Sequence, residues 1–288
     1  MSLIEAFKKG EVFLKNVRAA SEDEKVFHVW WLGQSGFLLK WKKYYLLFDP
    51  YLSDSLTKKY AATDKPHVRM SERVVEPASL DFIDVVTSSH NHTDHLDAET
   101  LIPLIGMNPD IQCIVPGANR HFVAERLACD PARLTGLVQG ETLQAGPFQF
   151  HGIPAAHNEI DKDDEGRCRY MGYVVKFGSW SVYHSGDTLK YEGMEEILAP
   201  FKVDIAFLPI NGNKPERRVA GNMNIQESVS LAKAIGAGVV IPHHYHMFTF
   251  NTEDPEKFQE ACEQAGQDYI VLRHGEGRIF GDTTERHT

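Results

Sequence analysis

His90-Asn91-His92-Thr93-Asp94-His95 sets three imidazoles and one carboxylate within six residues. That donor mix suits a borderline divalent cation such as Zn, Mn or Fe, because imidazole and carboxylate are both its ordinary ligands. Taken alone, the hexapeptide also reads as a polar, solvated loop rich in histidine. Further candidate ligands stand where strand-like runs end. His157 follows the extended run Phe150-His151-Gly152-Ile153-Pro154-Ala155-Ala156, Asp187 follows Val182-Tyr183-His184-Ser185-Gly186, and His244 follows Val239-Val240-Ile241-Pro242-His243. Singly, each has an ordinary alternative as a hydrogen-bonded loop histidine or a turn aspartate. Their weight comes from occurring together, in order, at positions where loops gather into a cleft. Asp49 ends the run Tyr44 to Phe48 and precedes Pro50, a place where Asp also initiates turns. Residues 242–246 offer His243, His244 and His246, and the residues alone do not choose among them.

The elements that must position these groups are legible from pattern. Asp84-Val85-Val86-Thr87-Ser88 reads as a buried strand, and Asp97 as the N-cap of a helix over 98–106, so the histidine cluster lies on a strand-to-helix loop. Val26 to Trp31, Phe37 to Trp41 and Tyr44 to Phe48 read as strands joined by turns at Gly33-Gln34-Ser35-Gly36 and Lys42-Lys43. Residues 53–80 are polar and irregular, carrying Lys58, Lys59, Lys65, His67, Arg69 and Arg73, and a loop this long inside a compact domain is often functional. Downstream, strands are expected at 111–115, 137–138, 143–144, 148–153, 170–178, 180–184, 203–208, 239–241, 269–272 and 277–280. Helices are expected at 118–128, 224–236 with Asn224 as N-cap, and 255–265. His184 is expected on the packed side opposite Asp187. Strands and helices interleave, which implies an α/β or α+β class with helices covering sheets. No linker divides the chain, so residues 1–288 form one expected domain. Residues 1–21 make an N-terminal arm, with 3–17 read as a helix presenting Ile4, Phe7, Phe13, Leu14 and Val17 to the domain or to another subunit; a frayed terminus is the competing reading.

Composition narrows the partners. The formal net charge is -10 and no block of Lys or Arg occurs, which argues against nucleic acid. A small anionic substrate stays open, because a bound dication and a few local cations reverse the field inside one cleft. No apolar run approaches a membrane span, and Met1 to Lys9 lacks the order of a secretory signal, so a cytoplasmic location is expected. Cys113, Cys129, Cys168 and Cys262 are scattered and expected as reduced, mostly buried thiols, with Cys168 exposed in its polar stretch.

The series His90-x-His92-x-Asp94-His95, then His157, Asp187 and His244, resembles the metallo-β-lactamase superfamily over roughly residues 26–280. Val29-Trp30-Trp31-Leu32-Gly33-Gln34-Ser35-Gly36, Tyr183-His184-Ser185-Gly186-Asp187-Thr188 and Val240-Ile241-Pro242-His243-His244-Tyr245 are similar to the L-ascorbate-6-phosphate lactonase branch. Ser89 to Asp97 also resembles N-acyl-phosphatidylethanolamine phospholipase D. The resemblance implies a four-layer αββα sandwich, an α+β fold, with a dinuclear site at one edge. It implies that His90, His92 and His157 hold one divalent ion (Zn or Mn, with Fe also suitable). Asp94, His95 and His244 would hold a second, and Asp187 would bridge both. It selects His244 from the late cluster, although a bulged loop would substitute His243. Asp49 then hydrogen-bonds a metal-bound imidazole and fixes its tautomer.

Two such cations lower the pKa of a shared water, with Asp94 placed to orient it and accept its proton. The leading function is therefore hydrolysis by a hydroxide held between two metals, opening a lactone of a small anionic sugar-derived substrate such as L-ascorbate 6-phosphate. A phosphodiesterase of phospholipase D type is the rival, and a non-catalytic metal-binding protein is the third reading. For substrate contacts, Asn211 and Lys214 stand out, at a strand end on a glycine-containing loop, ahead of Lys190, Tyr191, Arg217, Arg218, Asn222, Arg273 and His274. The related lactonases are oligomeric, which makes a homo-oligomer a further expectation.

Overall fold

Three antiparallel strands open the globular part of the chain in a computed structural model that describes residues 2–281. They are β1 (Val26–Gly33), β2 (Gly36–Trp41) and β3 (Tyr44–Phe48). Three short strands then add in parallel: β4 (Val85–Thr87), β5 (Gln112–Pro116) and β6 (Leu134–Leu137). The second sheet comprises β7 (Thr142–Ala145), β8 (Phe148–Pro154), β9 (Met171–Phe177), β10 (Trp180–His184), β11 (Ile205–Pro209) and β12 (Val239–His243). β13 (Gly277–Gly281) returns to the free edge of β1, giving sheet orders β13-β1-β2-β3-β4-β5-β6 and β12-β11-β10-β9-β8-β7.

The sheets stack through alternating apolar residues. From β1 and β2, Phe27, Val29, Trp31, Phe37 and Leu39 meet Phe148, Phe150, Tyr173, Val175 and Phe207 from the second sheet. Phe37 and Phe207 sit with ring centroids 4.3 Å apart. The intervening residues of the first sheet, Trp30, Leu32, Leu38, Leu47 and Val86, face outward. There they pack under α1 (Gly10–Arg18), α3 (Ala98–Met107) and α4 (Arg120–Arg126), while the short α2 (Ser55–Lys59) lies in the long early loop. On the second sheet, α5 (Met194–Leu198), α6 (Ile225–Ala234) and α7 (Pro255–Ala265) supply the outer layer, burying Leu198, Leu231 and Phe258. The result is the αββα sandwich. Full burial on both faces explains why β10, β11 and β12 read as continuous apolar runs.

Several local expectations change. The first helix begins at Gly10, not residue 3, because residues 4–7 are held in extended form: Ile4 bonds Met70 and Glu72 through its backbone, and Phe7 N–H donates to His274 O. The arm is thus strapped to the domain, and Ile4 and Phe7 are exposed, while Phe13, Leu14 and Val17 are buried. The strand expected at 239–241 runs on through Pro242 to His243 in β12. Residues 269–272 form no strand; Tyr269 makes an isolated bridge to Val240. Asn224 caps α6 with a reciprocal bond to Glu227, a capping box. Asp97 stands at the N-cap position of α3, but its carboxylate accepts from Ser55 and Thr100 hydroxyls rather than from the helix backbone. Cys168 is buried, because it lies at the approach to β9 and its side chain turns into the core. Among the described residues no helix is long and apolar enough to cross a membrane. Residue 1 and residues 282–288 of the expected single domain lie outside the described residues.

Candidate metal centre

Five strand ends converge at one edge of the sandwich. β3 delivers Asp49, β4 the loop 88–95, β8 His157, β10 Asp187 and β12 His244. Both Asp49 (φ 38°) and His244 (φ 65°) take left-handed backbone conformations, which cost a side-chain-bearing residue free energy and persist only where the surroundings over-determine them.

The hydrogen bonds behind the imidazoles decide which nitrogen faces the centre. Asp49 is fully buried and accepts from Thr87 Oγ1, from Ser89 N–H and Oγ, and from His95 Nδ1 at 2.8 Å. A carboxylate held by this many donors only accepts, so His95 Nδ1 carries the hydrogen. Ser89 spends its hydroxyl hydrogen on Asp49, so His90 Nδ1, 3.0 Å from Ser89 Oγ, must donate to that oxygen. His90 Nε2 is then a bare lone pair, buried with no partner. His157 Nδ1 donates to the carbonyl of Gly221 at 2.8 Å, leaving its Nε2 3.2 Å from His92 Nδ1. A buried polar atom without a partner is costly unless something absent from the protein chain completes it.

The inward atoms form overlapping groups, His90, His95 and Asp187 among them. Ligand atoms of His90, His92 and His157 lie within 4.8 Å of one another, and so do those of Asp94, His95 and His244. Asp187 sits between them. Its Oδ1 is 2.7 Å from His244 Nε2 and 3.2 Å from His95 Nε2, and its Oδ2 is 3.8 Å from His157 Nε2. His243 is near enough to form a further group with Asp187 and His244, but its ring nitrogens face Ser35 Oγ and Ser185 Oγ. His244, not His243, opens on the cleft. His184 is buried, stacked between Phe48 and His243. His246 does not line the cleft and meets the Tyr245 ring edge-on at 5.4 Å.

Electrostatics favours a cation here. Burial first, and then the neighbouring imidazoles, hold His90 well below the ordinary histidine range, and burial brings His157 down to about 4. These rings are neutral ligands at pH 7. At His95 burial pulls the same way, but the carboxylates of Asp187 and Asp94 outweigh it and raise the pKa well above the ordinary value. Burial would likewise lift Asp187, yet His244 and His95 hold it well below the usual carboxylate range. The carboxylates of Asp94 and Asp187 therefore demand positive charge at this point, and a divalent ion would supply it, with His90 and His157 already neutral and the extra proton of His95 displaced on binding. The residues present fit a divalent-metal centre.

A cavity of about 330 Å³ opens over these groups. His92, Asp94, His157, Asp187 and His244 form its floor, and Leu56, Tyr60, Val219 and Ala220 give it apolar walls. Lys59, Lys65, His67 and Arg126 add basic groups at the mouth. Arg126 is committed to the carbonyls of Asn91 and Leu96. Lys59 lies over the Tyr60 ring and Lys65 bonds the carbonyl of Arg218; neither is paired with a carboxylate among the described residues. Neither Asn211 nor Lys214 lines this cleft, a departure from the sequence expectation with a plain cause. The loop after β11 turns outward, Lys214 pairs with Glu253 at 2.9 Å beside a separate depression, and Asn211 is fully buried behind Asn251. Asn251 is the cleft residue that this loop supports.

The sequence places Gln34 in a turn, within the stretch similar to the lactonase branch, and assigns its side chain no role. In the structure its amide nitrogen lies 2.7 Å from Asp94 Oδ2 and 3.0 Å from His244 Nδ1. The available signal was a long polar side chain in a glycine-bounded turn whose neighbours are otherwise apolar.

Comparison with known proteins shows the family and the fold. The sequence model of the family described as "Beta-lactamase superfamily domain" matches residues 44–245. A UPF0173 metal-dependent hydrolase of Methanosarcina mazei is 30% identical over 252 residues, covering 85% of this chain and 95% of the relative. Among solved structures, a metallo hydrolase from Ignicoccus hospitalis superposes with TM-score 0.65 at 22% identity, covering 88% of this chain and 98% of the other. An isothiocyanate hydrolase from Delia radicum gut bacteria gives TM-score 0.70 at 18% identity, covering 88% and 99%. The chain belongs to the metallo-β-lactamase superfamily.

Proposed function

We propose that this chain, a metal-dependent hydrolase of the metallo-β-lactamase superfamily, works with two divalent cations and opens the lactone ring of a small anionic sugar-derived substrate, L-ascorbate 6-phosphate being the type. His90, His92 and His157 would hold one ion and Asp94, His95 and His244 the other, with Asp187 shared; Zn or Mn suits the donors, and Fe is compatible with them. When bound, two such ions activate a water and polarise the bond to be cut.

The single observation that carries the reading is Asp187, with one oxygen toward His95 and His244 and the other toward His157. A carboxylate so placed links both groups. The chain's other residues supply orientation and proton handling. Asp94, on the cleft floor, is held by Gln34 at one oxygen and can take a proton from an attacking water through the other. Burial would raise its pKa, but His95 and His244 outweigh that and keep it ionised, the form a proton acceptor needs. Lys59 and Lys65 at the mouth can meet a phosphate or carboxylate at the far end of the substrate, and Leu56 and Tyr60 can exclude water from one side of it. Asn211 would contribute only through Asn251.

The test is a panel of lactones and phosphodiesters assayed with Mn and with Zn on the purified protein. Turnover of lactones, with the anionic ones preferred, is expected. Turnover of phosphodiesters alone would overturn the lactonase reading in favour of a phosphodiesterase, and a protein that binds no metal would overturn both.

A further inference from the structure

Asp94 and His244 come from loops 150 residues apart in the chain, and the side chain of Gln34 reaches both from behind. Its amide nitrogen donates to Asp94 Oδ2 at 2.7 Å and lies 3.0 Å from His244 Nδ1, the ring nitrogen that keeps its hydrogen when Nε2 faces a metal. Its main chain grips the same place. The carbonyl of Gln34 accepts from the indole of Trp31 at 3.0 Å and from the backbone N–H of His244 at 3.3 Å. Trp31 stacks on Tyr245, the next residue along, at 4.2 Å.

The turn that carries Gln34 is closely enclosed. Gln34 takes a left-handed φ of 49° and is 3% exposed. A Cβ added at the preceding Gly33 would stand 2.4 Å from Met247 Cε and 2.8 Å from the His274 ring. Side-chain length matters as well: Asn is shorter by one carbon–carbon bond, about 1.5 Å, and could not span to both partners. By contrast, His157 is fixed by Gly221 and His90 by Ser89, with no contact to Gln34.

We infer that Gln34 is the positioning residue of the Asp94–His95–His244 group, and that it governs metal occupancy of that group without governing the His90–His92–His157 group. The inference rests on the two-metal reading given above. Groups that orient a metal ligand from behind change affinity by roughly 10–100-fold when removed. The effect here should fall on one metal equivalent and spare the other.

The experiment is a titration of metal-free protein with Co(II), read by visible absorbance and by metal content after dialysis, with thermal unfolding as a check on folding. Wild type should bind two equivalents. Gln34→Ala should weaken one of them by about 10–100-fold and leave the other unchanged. Gln34→Glu keeps length and volume but replaces the donor with an acceptor facing Asp94, so it should weaken the same equivalent at least as much. Wild type that takes up a single equivalent overturns the two-metal reading and the inference with it. If wild type binds two, then two equivalents unchanged in both variants, or both weakened together, overturns the inference alone.

Discussion

His95 Nδ1 donates to Asp49 Oδ2 over 2.8 Å, with both side chains fully buried. Through this bond the end of β3 sets the face that His95 turns toward the centre. Asp49→Ala would strand the Ser89 and Thr87 hydroxyls as well as His95 Nδ1. Breaking a buried hydrogen-bonded pair from one side costs about 3–5 kcal/mol. Urea unfolding of the metal-free protein should show that loss, and metal affinity should fall by about 10–100-fold. Unchanged affinity in a folded Asp49→Ala variant would remove the positioning role.

His274 gives the fold a sensitivity to acid away from the centre. It is fully buried against Trp31 at 4.3 Å, its Nε2 has no partner, and burial, helped by His246 and Arg69, brings its pKa down to about 3. The unfolded chain takes up this proton near the ordinary value of 6.5, and the folded chain does not until about 3. The stability this represents is complete above pH 6.5 and is lost as pH falls through that window, by at most about 1.4 kcal/mol per pH unit. Urea unfolding of metal-free wild type and His274→Phe at pH 7.5 and 5 should show the variant losing less stability over the interval. Equal losses would refute the assignment.

The candidate ligands that the structure brings together were readable from the sequence because their types cluster and because strand ends gather at one edge of such a sandwich. What the sequence could not show was which way each loop turns after its strand. Lys214 and Lys59 look alike as loop cations. The loop after β11 carries Lys214 outward to Glu253, while α2 brings Lys59 over the cleft. Gln34 was hidden for a similar reason, since its partners are 60 and 210 residues away in the chain. Cys168 shows the limit of local composition: polar neighbours implied exposure, but the approach to β9 turns its thiol inward.

Lys59 and Lys65 should tune recognition of a negatively charged substrate without touching the chemistry. Exposed charge contacts are worth about 0.2–1 kcal/mol each. The double variant Lys59→Ala/Lys65→Ala should therefore raise KM for an anionic lactone by about two- to thirtyfold, with kcat and metal content held and the difference shrinking at high salt. Neutral lactones should be indifferent to the change. A matching loss on neutral and anionic lactones would mean that the lysines act by packing and not by charge.

Gly186 ties the backbone of β10 to the placement of Asp187. Its φ is +59°, and a Cβ there would stand 2.6 Å from the carbonyl oxygen of Met171 and 2.7 Å from Ser89 Cβ. Met171 O belongs to β9 and Ser89 lies on the ligand loop, so neither neighbour can yield without moving part of the centre. The left-handed conformation alone costs a substituted residue about 1–2 kcal/mol, and the contacts add to it. Gly186→Ala should lower the unfolding temperature. Because Asp187 faces both ligand groups, it should also weaken both metal equivalents, unlike Gln34→Ala, which should weaken one. Calorimetric metal titration of a folded Gly186→Ala protein separates the outcomes: two equivalents bound as tightly as in wild type would mean that Asp187 is not placed by this turn.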